Sequence, residues 1–486
     1  MLTKLILHEM ERNMRAPRIT LSLLLLLTII LSSCKDDNGS GVPPIDPDIE
    51  IPEGSEIPFF VINSNGNTIP DEPKVSGSLQ VFINQQLVFS NPIGIELRGS
   101  TSRRLFPKVS YGIEFWDQNG EDVSLEILDF GKEEDWVLHG PYSDKTLLRN
   151  VLLYDLSNDI GRWASKTQLI ELNINGEYAG VYVFMEKVKR DGDRLDIEPM
   201  DQTVTSGVEL TGGYLLKIDK TSGDTNNSDW PGDAIYSEEL GFRSDYSPNE
   251  NVHAFDAYGN KRGTETYFLY EYPRADAINA AQKDYIQQYI RDFEDALVAE
   301  DFSGATRDYE NYIDVNSFVD FFILNELSAN PDAYRLSTYL HKYQNNKLAM
   351  GPAWDFNIAF GNDGRSATNE WIYEFNDRNP NDLWLVHFWW EKLLADPRFR
   401  ATVKTRWTAL RSTQLSQTTI DSKIDNWITY LDANGAIDRN FTQWPVIGFA
   451  LPFNSFVGNS FEEEVDYVKN WIQQRATWMD SEIQAW

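Results

Sequence analysis

The sequence predicts an α+β protein, with a β-rich N-terminal lobe followed by a helical C-terminal lobe. Three observations carry this. Between Ile57 and Phe115, apolar and polar residues alternate and are broken by Asn-Gly and Pro, which is the pattern of short strands. From Pro273 onward the apolar residues recur at i, i+3 and i+4, the period of helices. At 486 residues and 41% hydrophobic, the chain is long enough to bury one large or two medium cores. No internal repeat is visible.

Residues 1–33 read as an export signal. Lys4, Arg12, Arg15 and Arg18 precede the mostly apolar run Leu21–Leu31. That run is too short to span a bilayer, which takes about 20 residues. It ends in Leu31-Ser32-Ser33-Cys34, and small residues before the only cysteine look like a bacterial lipobox. Cys34 is therefore the expected lipidation site, the alternative being a plain secretory signal with an incidental cysteine. Met14 offers a second start with a tidier basic segment. Cys34-Lys35-Asp36-Asp37 resembles the acidic signal that sends Bacteroidetes-type lipoproteins to the outer leaflet. The expectation is an outer-membrane lipoprotein, exposed at the cell surface and held to the membrane through lipid on Cys34. Residues 34–54 form an acidic tether stiffened by Pro43, Pro44 and Pro47. With no cysteine beyond Cys34, no disulfide is expected in the folded part.

The β-rich lobe is expected over residues 55–272. Ile57–Phe89, Ile93–Leu97 and Val109–Phe115 read as strands. Thr146–Ile160 has helical spacing. Leu169–Asn173 and Gly180–Met185 flank Asn175-Gly176, a strong hairpin signal. Gly212–Asp219 is another strand, and the polar stretch from about 221 to 263 is an irregular insertion. The helical lobe, 273–486, is expected to hold helices over Ala275–Ala299, Val315–Asn330, Leu383–Ala395, Phe399–Thr413, Ile420–Ala433 and Phe461–Ile483.

Net charge is −32. Such a surface repels nucleic acid and anionic membrane, so no nucleic-acid partner is expected. It also repels ATP unless a local positive site overrides the field.

The most informative stretch is residues 330–362. Leu336–Tyr343 reads as a strand, Gln344-Asn345-Asn346 as a turn and Lys347–Met350 as the returning strand. Asp332 and Asp355 then stand at the two open ends of one hairpin, brought within about 5–10 Å of each other by strand spacing. Two such carboxylates, followed by Asn357, suit a divalent cation and leave one acid free as a base. The plainer reading makes Asp332 a turn cap and Asp355 a structural acid.

Arg98-Gly99-Ser100-Thr101-Ser102-Arg103-Arg104 and Lys108 form the densest basic segment, lying between two predicted strands. Hydroxyls, one Gly and several cations there suit phosphate binding; a solvated hairpin tip is the alternative. Glu186 follows an apolar strand and is either a site residue or a partner for Lys187 or Lys189. His139, His253, His341 and His387 lack metal-ligand spacing. Trp384, Phe388, Trp389 and Trp390 read as core rather than as a sugar-stacking face.

In this order the motifs resemble the spore-coat protein H (CotH) kinase family, in its Bacteroidetes lipoprotein form, over residues 56–483. The residues that carry the resemblance begin with Arg98-Gly99-Ser100 and Lys108. Trp136-Val137-Leu138 follows, then Asp144-Lys145-Thr146-Leu147-Leu148-Arg149-Asn150. Next come Asn175-Gly176-Glu177-Tyr178-Ala179-Gly180-Val181-Tyr182 with Glu186, and Gly212-Gly213-Tyr214-Leu215. Asn325-Glu326 precedes Asp332, and Gly351-Pro352 precedes Trp354-Asp355-Phe356-Asn357. Arg475, Trp478, Met479 and Asp480 close the set.

The resemblance implies an atypical protein-kinase-like two-lobe fold. It also implies use of ATP with Mg²⁺ (or Mn²⁺), and phosphorylation of Ser or Thr on cell-envelope or secreted proteins. By position, Lys108 would hold phosphates and Glu186 would lie near the nucleotide, with Arg98 of the basic segment a further cofactor-binding candidate. Asp332 would orient or deprotonate the acceptor hydroxyl, and Asp355, with Asn357, would bind the metal. Ser337 stands where a kinase catalytic loop has a metal-binding Asn, and Asn357 where many family members have a second Asp. A non-catalytic surface lipoprotein that binds glycans or proteins is therefore the alternative, and 22 Tyr and 15 Trp suit it.

Overall fold

The computed structural model describes residues 48–221, 236–247 and 265–486. The export signal, Cys34, most of the tether and most of the 221–263 insertion, with His253, lie outside the described residues. The fold is mixed α+β, β-rich toward the N-terminus and helical toward the C-terminus.

The N-terminal strands are β1 (Phe59–Asn63), β2 (Val75–Ile83) and β3 (Gln86–Arg98). The short helix α1 (Thr101–Leu105) leads into β4 (Ser110–Phe115). A small hairpin, β5 (Leu125–Ile127) and β6 (Phe130–Glu133), precedes β7 (Asp135–His139) and helix α2 (Arg149–Asp159). Then come β8 (Thr167–Ile174) and β9 (Glu177–Glu186). Seven of these strands close into a barrel in the order β1-β2-β3-β4-β7-β9-β8, completed by parallel pairing of β1 with β8. A closed barrel is a more specific architecture than the β-rich lobe expected from the alternation alone.

The barrel interior follows the strand period of two. Phe60 and Ile62, Leu79 and Val81, Ile93 and Ile95, and Ile170 and Leu172 all point inward. Trp136 stacks on Phe184 at 4.8 Å between ring centres. Val137, Leu169, Val181, Val183 and Met185 face outward, yet they are buried in a core that includes α2. This accounts for the unbroken apolar run Val181–Met185: β9 is covered on both faces.

A second, five-stranded sheet has the order β11-β12-β10-β13-β14. Its strands are β10 (Tyr214–Ile218), β11 (Gly241–Arg243), β12 (Tyr267–Tyr272), β13 (Thr338–Lys342) and β14 (Leu348–Met350). The hairpin read from the sequence is present, with Leu340 opposite Met350 and Lys342 opposite Leu348. The sheet also crosses the boundary drawn at residue 272, because β10 pairs with β13 along Tyr214–Ile218. Long-range pairing of this kind leaves no local mark in the sequence.

The helices are α3 (Ala280–Val298), α4 (Val315–Ser328), α5 (Phe375–Arg378), α6 (Trp389–Ala395), α7 (Pro397–Arg411), α8 (Gln417–Ala433), α9 (Ala436–Gln443) and α10 (Phe461–Ala485). Several begin at side-chain caps: Asn279 with Gln282 forms a capping box on α3, while Asp314, Asp396, Ser416 and Ser460 cap α4, α7, α8 and α10. Helix α4 is buried on every side apart from Val315 and Asn316, and forms the centre of the helical region. The helix expected over Leu383–Ala395 begins only at Trp389. Before it, the Asn376 amide bonds both the N–H and the C=O of Val386 at 2.8 Å, which takes those groups out of a helical ladder. Phe388, Trp389 and Trp390 are core residues, as read.

Helix α9, unforeseen in the sequence, seals the barrel. Asn440 Oδ1 accepts the Val181 N–H at 3.0 Å, and Trp444 Nε1 donates to Ala179 O at 2.7 Å. Gly180 sits between them with φ of 98°, where a Cβ would come within 2.7 Å of Asn440 Oδ1. The glycine permits this close approach.

Candidate functional site

Helix α4 ends at Ser328, and Ala329 turns the chain in a left-handed conformation. Asn330 then joins both candidate acids through their backbones. Its Oδ1 accepts the Asp332 N–H at 3.2 Å, and its Nδ2 donates to Asp355 O at 3.3 Å. On the returning side, Asp355 has φ of 62°, a left-handed conformation that is unusual for a residue with a side chain.

Helix α2 holds the Asp355 loop from the other side. The Tyr154 hydroxyl accepts the Asp355 N–H at 3.0 Å. Asn150 Oδ1 accepts the Phe356 N–H at 2.7 Å, and Arg149 Nε donates to Ala359 O at 3.0 Å. The Asp144–Asn150 motif thus serves to place the second aspartate.

Electrostatics tie the two acids together. Burial, then the negative charge of Asp332, pushes the Asp355 carboxyl up to about 6. Asp219 adds to the rise and Lys220 opposes it. The Asp355 carboxylate has no hydrogen bond or ion pair among the described residues. Asp332 is about a quarter exposed; its Oδ1 pairs with Arg335 at 2.8 Å and lies 3.8 Å from Arg365. Arg335 is itself buried and anchored on Pro331 O and Asp382.

Asp219 and Lys220 were not singled out in the sequence. They follow β10, which pairs with β13, so the sheet carries them to the Ser337 end of the hairpin. Ser337 Oγ donates to Asp219 Oδ2 at 3.4 Å, and Lys220 Nζ donates to Thr101 Oγ1 at 3.3 Å. The second contact links Thr101 of the basic segment to Lys220. The signal for them was a run of charges, Lys217, Asp219 and Lys220, closing a predicted strand.

The other sequence-derived candidates divide. Arg98 ends β3, and its charge acts on Glu96, Lys187 and Tyr339; Tyr339 also feels Lys217 and Asp219. Arg98 thus shares a neighbour, Tyr339, with Asp219, one of the acids of the candidate site. Asn357 lies in the Asp355 loop, where its C=O accepts from Asn362. Lys108 is placed differently from the phosphate-binding expectation. Its ammonium is buried, donates to Val181 O at 2.6 Å and Asn440 Oδ1 at 2.9 Å, and stands over the Tyr182 ring. Burial pushes it well below the usual lysine range, with Asp144 opposing. It is a tie between the barrel and α9, and no acid of the recess is among its partners. Glu186 is likewise buried; it accepts the Lys166 N–H at 2.8 Å and lies 3.8 Å from Arg194. Its surroundings are those of a barrel-end acid.

The donor set of the recess fits a hard divalent cation, since carboxylate oxygens are the ligands such ions take. Among the described residues, the acids whose oxygens converge within 4.8 Å are Glu133, Glu134 and Asp135. Lys189 already bonds all three, which satisfies that cluster as an ion-pair network. The aspartates of the recess are more widely spread. That suits an ion held by one or two carboxylates and completed by phosphate and water, the habit of Mg²⁺. A separate cavity of about 250 Å³ lies against Gly351–Ala353, lined by Trp163, His341 and Tyr343 among others; neither acid of the pair lines it.

The fold and the candidate site together define a mixed α+β protein with two charge-coupled aspartates, one at each open end of a hairpin. The chain belongs to the CotH kinase protein family, whose family model matches residues 95–479. No curated protein matches the chain at a significant level. Family membership suggests a kinase-like function, and in general terms the use of ATP and a divalent metal.

Proposed function

We propose that this chain is an atypical protein kinase, which transfers the γ-phosphate of ATP to Ser or Thr of cell-envelope or secreted proteins. It acts from the outer membrane, facing the cell surface, where lipid on Cys34 holds it. The observation that carries the reading is that Asn330 joins the backbones of Asp332 and Asp355, whose charges are coupled. The order of the parts, an acid, a hairpin and a second acid, is also the order found in protein kinases.

Asp332, about a quarter exposed, orients the acceptor hydroxyl and takes its proton as the oxygen attacks the γ-phosphorus. The bond from that phosphorus to the β–γ bridging oxygen breaks, and ADP leaves. Asp355 is the metal ligand. A bound Mg²⁺ or Mn²⁺ supplies neutralisation of phosphate charge. Lys220 and Arg98 face the phosphates, the part first given to Lys108. In a protein of net charge −32 these cations provide the local positive field that ATP needs.

Thermal unfolding with and without ATP and Mg²⁺ tests the reading. Wild type and Asp332→Ala are expected to be stabilised by nucleotide, and Asp355→Ala is not. Phosphate transfer to a generic acceptor is expected to vanish in both variants. No stabilisation of wild type at millimolar nucleotide would count against the proposal. It would favour the second reading, a non-catalytic lipoprotein that binds glycans or proteins. One observation supports that alternative: the Asp332 carboxylate is already paired with Arg335.

A further inference from the structure

Position 337 carries Ser, whose neutral hydroxyl is a poor ligand for Mg²⁺ compared with a carboxylate. Its Oγ, however, donates to Asp219 Oδ2 at 3.4 Å. Asp219 arrives from a different strand, β10, through the pairing of Ile218 with Thr338. Its second carboxylate oxygen accepts the Lys220 N–H at 2.9 Å, which fixes the side chain at the sheet edge. Lys217 Nζ approaches Oδ2 at 4.0 Å but is paired more closely with Glu271, at 2.7 Å. Asp219 is thus held at the sheet edge beside Ser337, where its charge acts on the Asp355 carboxyl.

We infer that Asp219 is a metal ligand of this site, supplying from β10 the anionic oxygen that Ser337 lacks, with Ser337 as its positioning partner. The inference rests on the proposed nucleotide-binding reading and deepens it. Asp219 and Asp355 would then hold the cation together, and it would supply neutralisation of phosphate charge. A Mg²⁺ or Mn²⁺ ion with two carboxylates and phosphate is an ordinary coordination set. Lys220, the next residue, stays directed at Thr101. Adjacent residues would thus serve cation and phosphate separately.

The test counts Mn²⁺ bound to the full chain by electron paramagnetic resonance, with the non-hydrolysable analogue adenylyl imidodiphosphate present. Wild type is expected to bind Mn²⁺. Asp219→Asn is expected to weaken it by about tenfold or more, and Ser337→Ala by less, because the carboxylate remains. If Asp219→Asn binds as wild type while Asp355→Asn does not, the inference falls and the proposed function stands. If wild type itself binds no Mn²⁺ with the analogue, both fall. Should Asp219→Asn fail to fold, anomalous scattering from Mn²⁺ in wild-type crystals decides. An ion about 2.1 Å from an Asp219 oxygen is expected, and an ion beyond reach of that carboxylate overturns the inference.

Discussion

Asn150 accepts the backbone N–H of Phe356 at 2.7 Å, and through this bond helix α2 sets the loop that carries Asp355. The two residues are far apart in the chain, and both are buried. Removing the acceptor leaves a buried N–H unpaired, which costs about 1–3 kcal/mol. Asn150→Ala is expected to lose that much in urea unfolding and to lose the stabilisation by ATP and Mg²⁺. Asn150→Asp keeps the acceptor oxygen and is expected to retain more of both. Nucleotide stabilisation of Asn150→Ala equal to wild type would show that α2 does not set the loop.

Lys108 is bonded inside the barrel, and the proposed phosphate role falls to Lys220 instead. Lys108→Met removes a cation whose charged form is penalised by burial, at a site bounded by Val181, Tyr182 and Asn440. Its ATP dissociation constant is expected to match wild type. Lys220→Met is expected to bind ATP about tenfold more weakly, a loss of about 1.4 kcal/mol. Titration calorimetry with ATP and Mg²⁺ distinguishes the two, and the reverse ranking would return the phosphate role to Lys108.

Glu326 and Arg475 form an ion pair at 2.9 Å with both side chains fully buried. Glu326 also accepts the N–H groups of Ile372 and Tyr373 and the Tyr334 hydroxyl, while Arg475 bonds Glu326 O and Glu370 O. This fastens α4 and α10 to the segment after Asp355. Arg475→Leu leaves an uncompensated buried acid and is expected to cost about 3–5 kcal/mol in denaturant unfolding. The double change Glu326→Leu with Arg475→Leu is expected to recover part of the loss, and a purely additive result would refute the coupling.

His139 gives the fold a defined weakness to acid. Burial pushes its imidazole down to about 4, with Asp144 opposing and Lys108 adding to the fall. A histidine with an ordinary value near 6.5 takes up its proton on unfolding but stays neutral when folded, so acid favours the unfolded chain. Its contribution is fully present above pH 6.5 and is lost as pH falls toward 4, a change on the order of 2 kcal/mol. His139→Gln is expected to be less acid-sensitive than wild type by that amount when urea unfolding at pH 7 and pH 4.5 is compared. Equal acid sensitivity would show that His139 titrates normally in the folded state.

Much of this protein was legible in the amino-acid order because it is local. The Gln344-Asn345-Asn346 turn with its flanking strands specified the hairpin, and with it the approach of Asp332 to Asp355. Helical periodicity located α4, α7, α8 and α10 closely. Leu383–Ala395 misled because the Asn376 amide, a non-local partner, claims the backbone of Val386.

What only the tertiary structure decided was which charges share a space. Closure of the barrel by β1 on β8 and the covering helix α9 turned Lys108 inward. Pairing of β10 with β13 delivered Asp219 and Lys220 to Ser337 and to the aspartates. Strand and helix signals arise from neighbours a few residues apart, so a sequence displays them directly. Burial of an ammonium, or the meeting of carboxylates from separate strands, depends on contacts more than a hundred residues apart, and no local pattern records those.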